Sequence, residues 1–380
     1  MGFSKVHGLQ EVKDQLLGMV EGNRLPHALL LVGPAGGGQL PMALAFSQYL
    51  LCENPGPEDA CGLCPSCRKA AQMIHPDLHF SFPYTDPKKT SEAFLEDWRR
   101  EVLANPYLGM SDWLQVLAAE NKQGKIYKEE CQRIIQKLSL KAFESDRKVL
   151  LMWLPEFLGN EGNRLLKLIE EPPEGAILLL VAESTERILQ TILSRCQLIG
   201  LRPFSDREIV EGLEASGLAS GEEALGIAQL ADGSYHRALQ LAGSSLQDHP
   251  QRFLQWMRIT YEGSASGMLA WVDDFAKLGR DSQKQFLHYA LHFMRELLVL
   301  KAKPGADPRL RSGELETARR MAGLFDWQQI SALVEAFNRG ILGVERNANG
   351  RILFLDTSLQ MHRIQKGKPL LAQPGEALSL

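Results

Sequence analysis

The chain has 380 residues, enough for two or three domains, and 44% of them are hydrophobic, so substantial cores are within reach. Its formal net charge of -4 excludes a global electrostatic drive toward nucleic acid, though not a local basic surface. No apolar run reaches the ~18 residues of a membrane span. The opening "MGFSKVHGLQ" has no secretory core, and Val6 stands where a myristoylation motif needs Ser or Thr, so a cytoplasmic location off the membrane is expected.

The first recognisable unit is "HALLLV", then "GPAGGGQL" at 33–40, then "PMALAFSQYLL". Strand, glycine loop and helix in that order open a P-loop α/β unit. A working loop reads G-x-x-x-x-G-K-[ST], with the lysine on phosphate and the hydroxyl on magnesium. Gly33 and Gly38 fall in place with Gly36 between them, but Gln39 holds the lysine position and Leu40 the hydroxyl position. Pro41 removes one more backbone donor from a helix N-terminus that would otherwise attract anions. The loop reads as a degenerate phosphate cradle. Weak phosphate contact by its remaining amides is the most it offers, a plain strand–helix turn is the blander reading, and hydrolysis of ATP by this chain is not expected.

Six cysteines follow, four of them crowded: Cys52, Cys61, Cys64 and Cys67, separated by eight, two and two residues. In a cytosolic chain such clustering favours metal over disulfide. Four thiolates close a tetrahedral shell around structural zinc and leave no open position for catalysis. The alternative is a set of reduced thiols, or one redox C-x-x-C pair. His75 and His79 are read as structural, and the isolated Cys131 and Cys196 as buried apolar filler.

Residues 80–125 are mixed, with turn signals at "FPYTDPKKT" and "ANPYLGMSD" and helices expected around 91–104 and 111–121. "KVLLMWL" (148–154) reads as a buried parallel strand. The acidic pair that would hold metal and orient water at the end of such a strand is replaced by Trp153 and Leu154, with Glu156 two positions on. "NRLLKLIEE" (163–171) reads as a helix stopped by Pro172 and Pro173, and "AILLLVAE" (176–183) as a second strand. This alternation implies a parallel sheet with helices on both faces. Past about 204 the strands stop. Ser205 caps a helix ending at Gly217, two more are expected over 221–231 and 234–242, and the pattern is helical from 250 onward. Phe286, Tyr289, Ala290, Phe293, Met294, Leu297 and Leu298 form a helical stripe read as helix–helix core. The tail from 366 reads as frayed.

Together these features resemble the clamp-loader branch of the AAA+ superfamily. "RLPHALLLVGPAGGG" is similar to its first strand and P-loop, the cysteine spacing followed by His75, Pro76 and Asp77 to its zinc module, and "LLKLIEEPP" and "TILSRCQ" to two further signatures. "DGSYHRAL" sits where that branch carries its second sensor. The match covers about 3–245, and the later helices agree in character only. The resemblance implies an α/β fold: an AAA+ P-loop base with a parallel sheet over 1–203 carrying a zinc module at 52–67, a small helical lid over 204–245, an all-α C-terminal collar for oligomerisation over 246–365, and a tail over 366–380.

That branch contains motor subunits and a stator without an ATP site, and the losses at Gln39, Leu40, Trp153 and Leu154 are similar to the stator. His236, with Arg237 beside it, stands where motors carry a sensor arginine, and the stretch 84–121 is longer than the family pattern. The resemblance implies that Arg195, flanked by Ser194 and Cys196, is an arginine finger reaching a neighbouring subunit's ATP. Such a finger is worth about 10³–10⁵ in rate in GTPase systems; the blander reading is a surface ion pair. The implied function is that of a scaffold subunit of the loader in DNA replication, with structural zinc as cofactor. The implied partners are the motor subunits and the delta subunit in a hetero-pentamer, and the sliding clamp and primer–template DNA through the complex. Two alternatives stand beside it. An active ATPase with a divergent P-loop would want an intact carboxylate pair. A zinc-dependent nucleic-acid-binding protein would want more around Cys61–Cys67 than Arg68 and Lys69.

Overall fold

Both long apolar runs are strands at the middle of a sheet, where neither of their own faces meets water. The strands are β1 (Ala28–Val32), β2 (Leu78–Ser81), β3 (Lys148–Trp153), β4 (Ala176–Ala182) and β5 (Gln197–Gly200), and β3 and β4 are buried along their whole length. They form one sheet in the order β2-β3-β4-β1-β5, with every pairing parallel. Val149 lies opposite Ile177, Leu29 opposite Leu179, and Leu29 opposite Gln197 on the other side. This is the α/β fold with a parallel sheet that the sequence implied. The computed structural model describes residues 1–119, 122–243, 249–303, 305–306, 308–310, 312–346 and 348–368.

Each face of the sheet has its own cover. Leu30, Leu150, Met152, Leu178 and Leu180 pack on one side with Ile134 and Leu138 of the helix Lys128–Ser139 and with Ile169 and Ile192. On the sheet also lies the helix Gln39–Leu50, which meets β1, β3 and β4 and is buried all round. A helix apolar on every side is stable only when enclosed, and the helix Pro65–Ala71, which carries Cys67, packs against it as well.

Three expected helices change in detail. The 91–104 segment begins as a 3₁₀ turn, Ser91–Phe94, and becomes α-helical over Leu95–Ala104. The next helix runs only Met110–Val116 and ends where Ala118 takes a left-handed conformation at φ 48°; the expected end of that helix falls on 120–121, outside the described residues. The 163–171 segment is 3₁₀ over Gly159–Leu165 and α only over Leu166–Glu170. Gly159 and Gly162 are poor helix formers, and the residue before a proline avoids the helical region.

The described chain divides into two compact units, Met1–Ser220 with Ala231–Leu239, and Gly221–Leu230 with Gln240 onward. The second unit is helical, including His249–Glu262, Ala265–Phe275, Arg280–Ala302, Ser312–Leu324, Trp327–Glu345 and Gly350–Gln365. Its centre is aromatic: Trp256 and Trp271 stack 4.7 Å apart with rings 1° from parallel, and Phe275, Phe286, Phe337 and Phe354 pack around them. The expected stripe from Phe286 to Leu297 is buried, with Leu298 half-buried at its edge. No helix among the described residues is long and apolar enough to cross a membrane, and most of the expected tail lies outside the described residues.

Candidate functional site

The glycine loop leaves the C-terminal end of β1, where a phosphate cradle belongs. Gln39 and Leu40, at the two positions whose side chains would meet phosphate and magnesium, are each only 4% exposed. Gln39 turns inward: its Nε2 donates to the carbonyl of Gly33, to that of Pro34 at 2.9 Å, and at 3.4 Å to that of Ala182 at the end of β4. An amide thus ties the loop to its own sheet where a lysine would reach out to a ligand.

Gly36 has a structural reason to be glycine whatever the loop binds. Its φ is +73°, and a Cβ there would stand 2.2 Å from Ser234 Oγ and 2.7 Å from His236 Cβ. The His236 amide donates to the Gly36 carbonyl at 3.2 Å. The loop apex is therefore packed directly against the first turn of the helix Tyr235–Ala242, and only glycine allows that approach.

The mouth of the loop is filled from the long segment. Tyr107 and Leu108 are buried, and with Pro106 they line the recess over Gly36, Gly37, Gln39 and Leu40. The recess has a water-accessible volume of about 20 Å³, room for about one water and none for a nucleotide. The Tyr107 ring lies 4.6 Å from that of Tyr235 and meets Phe204 edge-on at 6.2 Å. Asp112 Oδ2 faces His236 Nε2 at 3.2 Å.

At the end of β3 the wall is aromatic. Trp153 packs on Trp98 at 4.9 Å, Trp98 stacks on Phe82 at 4.3 Å, and Trp113 closes the box while donating Nε1–H to the Pro83 carbonyl at 2.7 Å. Leu154 is buried in a left-handed conformation. Glu156 does not reach a reacting centre; its Oε1 accepts from the amides of Glu183 and Ser184 at 2.6 and 3.0 Å. Burial, with the Glu156 charge nearby, pushes the Glu183 carboxyl up to about 7.

The four clustered cysteines converge as their spacing implied. Their Sγ atoms all lie within 4.8 Å of one another, with Cys61 and Cys67 at 3.9 Å. Tetrahedral zinc with Zn–S near 2.3 Å wants sulfurs about 3.8 Å apart, so the donor set fits. Backbone amides point at the sulfurs: Cys61 N at Cys52, Cys64 N at Cys61, Cys67 N at Cys64, all at 3.3–3.4 Å. Amides from Cys64 and Leu63 lower the Cys61 thiol to about 6, toward the thiolate a metal requires, whereas burial raises Cys52 and Cys67. His75 and Asp77 stand outside the cluster. His75 Nδ1 accepts from the Asp77 amide, and the Asp77 carboxylate accepts from the amides of Phe143, Glu144 and Ser145 at 2.6–2.9 Å. Cys131 is fully buried; Cys196, just before the edge strand β5, is half-buried and packs against the same core, so its reading as buried filler holds only in part.

Arg195 lies between the short helix Gln190–Leu193 and β5. Its guanidinium is held locally. Nε pairs with Glu170 Oε1 at 2.5 Å, and Nη1 donates to the Thr191 carbonyl at 2.9 Å and Ser194 Oγ at 3.2 Å. Because Gln197 lies level with Leu29, Arg195 enters at the N-terminal edge of the sheet, whereas Gly33 leaves at the C-terminal edge. The four residues from Leu29 to Gly33 alone span ~13 Å. The structure therefore brings the glycines, Trp153 and Leu154 together and keeps Arg195 apart from them. Sequence reasoning missed Tyr107, Asp112 and Glu170 as neighbours of these sites; the first two fall in the stretch 84–121 that the sequence left without a role, and Glu170 showed only as part of "LLKLIEEPP".

A family described as DNA polymerase III, delta subunit matches residues 8–205 of this chain. DNA polymerase III subunit delta' of Bacillus subtilis is 28% identical over 215 residues, which are 56% of this chain and 54% of that protein. Subunit delta' of Pseudomonas aeruginosa is 30% identical over 171 residues, 45% of this chain and 41% of that protein. DNA polymerase III subunit tau of Bacillus subtilis is 22% identical over 376 residues, 93% of this chain and 60% of that protein. The chain spans about half the length of the delta' relatives it matches.

Proposed function

Because the chain belongs to the DNA polymerase III delta-subunit family, whose match covers just over half of it, we propose that it is a delta-prime type subunit of that polymerase's clamp loader. In this reading it is a stator: it scaffolds the loader without turning over ATP and lends Arg195 to a neighbouring subunit's ATP site while the sliding clamp is loaded onto primer–template DNA. Its partners are the motor subunits and the delta subunit of a hetero-pentamer, and its location is the cytoplasm, where replication proceeds. The base spans 1–203, the lid 204–245 and the collar 246–365.

The observation that carries this reading is the separation within the base. The chain's own loop is filled and carries Gln39 and Leu40 at the two positions that would meet phosphate and magnesium, while its exposed arginine sits at the opposite edge of the sheet. An arginine there is out of reach of the chain's own loop and open to another subunit, its contacts in this chain being Glu170, Thr191 and Ser194. Its guanidinium is always charged and matches phosphate oxygens with a planar fork, so it can stabilise the charge that develops on a transferring phosphoryl group. Leaving Glu170 costs little, since exposed ion pairs contribute only ~0.2–1 kcal/mol. Zinc, held by Cys52, Cys61, Cys64 and Cys67, would supply folding energy to the module rather than chemistry. The experiment that decides is the ATPase rate of the assembled loader with and without the Arg195 guanidinium.

A further inference from the structure

The resemblance implies that the stretch 84–121 is longer than the family pattern, and nothing in the stator reading uses it. Its middle, Asn105 to Trp113, runs across the mouth of the glycine loop. Pro106, Tyr107 and Leu108 face Gly36, Gly37, Gln39 and Leu40. Tyr107 also reaches the aromatic rings of Phe204 and Tyr235, and Asp112 reaches His236. The same nine residues thus touch the loop on one side and the first turn of the helix Tyr235–Ala242 on the other. These two elements also touch each other, through the His236 amide on the Gly36 carbonyl.

We propose that residues 105–113 are a built-in occupant of the nucleotide cleft, standing where a nucleoside phosphate would, and that they fix the glycine loop against the first turn of the helix Tyr235–Ala242 whatever nucleotide is present. Three features support it. The occupant is anchored at both ends, by Trp113 Nε1–H on the Pro83 carbonyl and by the Asn105 amide, which donates to the Glu101 carbonyl at 2.8 Å at the end of the helix Leu95–Ala104; within it, the Asn105 side chain and backbone accept from the amides of Tyr107 and Leu108. It is apolar where it meets the loop, as fits a site that no longer recognises an anion. Glu183 is the one carboxyl lining the recess and no lysine or arginine lines it, so the recess offers a phosphate no positive side chain. A cleft that only lost its catalytic groups would be an open groove; this one is packed. The proposal concerns the isolated chain and stands apart from the role of Arg195.

The test is amide hydrogen exchange on the full-length, metal-loaded chain, with and without millimolar ADP. In the wild type, ADP should leave exchange unchanged throughout. Tyr107→Ala should accelerate exchange at least tenfold at Gly37, Met42, His236 and Ala238, while β2 and β3 change less than twofold. Tyr107→Phe, which keeps the ring, should match the wild type. Should Tyr107→Ala fail to fold, Asp112→Asn provides the same readout, with acceleration confined to His236 and its neighbours. Protection by ADP in the wild type would overturn the proposal. So would unchanged exchange at these amides in the variants, or acceleration spread equally over β2 and β3.

Discussion

Glu183→Gln should stabilise the protein at alkaline pH and do almost nothing in acid. The Glu183 carboxyl lies at the end of β4 on the wall of the filled recess, and burial together with Glu156 raises it from an ordinary 4.5 to about 7. A raised carboxyl favours the protonated form in the folded state. Between pH 4.5 and 7 the folded chain therefore binds a proton that the unfolded chain has released, and stability falls as pH rises. The full shift corresponds to at most ~3.4 kcal/mol at 1.36 kcal/mol per unit. Water reaching the partly exposed group brings the expected loss to about 1–3 kcal/mol above pH 7. Glutamine is neutral at every pH, so the variant lacks this loss. Urea unfolding of both proteins from pH 4.5 to 8.5 should give a difference near zero at the acid end that grows through pH 7 and then levels off. A difference that stays flat across that range would refute the reasoning.

Two other perturbations probe the architecture of the site. Metal analysis of protein purified without supplement should find one zinc per chain, and Cys64→Ser should lower that content and cost several kcal/mol of the ~10–16 kcal/mol that structural zinc contributes in finger peptides; substoichiometric metal with four freely titrating thiols in folded protein would reject the site. Gly36→Ala should cost about 2–4 kcal/mol by denaturant unfolding, because a left-handed φ is joined there by a 2.2 Å clash with Ser234 Oγ, whereas Gly217→Ala, at φ +68° in open space, should cost only ~1–2 kcal/mol. Equal costs would mean that the helix does not bear on the loop.

What could be read from the sequence followed from local pattern. The runs at 148–154 and 176–183 announce buried strands because all but one residue in each, Lys148 and Glu183, is apolar, and the four cysteines announce a metal shell because their close spacing favours one. β2 and β5 escaped because each has four residues, and β5 exposes Gln197, Leu198 and Gly200 with only Ile199 buried. The helix Lys128–Ser139 escaped for a different reason: its buried face is carried by Cys131, Ile134 and Leu138 amid charged neighbours. The filled cleft was illegible in principle. Tyr107 gains its role from Phe204 and Tyr235, far along the chain, and nothing beside it in sequence marks a residue that closes over a glycine loop. The lost lysine was legible; the inward turn of Gln39 that replaces it was not, because glutamine at that position suits exposure as well as burial.

The central claim is that this chain has no working ATP site and completes a neighbour's. The most direct measurement is the DNA- and clamp-stimulated ATPase of the reconstituted loader, with wild-type chain and with Arg195→Ala, at matched assembly. Arg195 is exposed and its pair with Glu170 is worth little, so folding and assembly should be nearly unaffected. The stimulated rate should fall but not vanish, since other sites rely on other subunits, and Arg195→Lys, lacking the planar fork, should recover little of it. Equal rates for wild type and Arg195→Ala would contradict the account, leaving Arg195 a surface residue and the chain a passive scaffold.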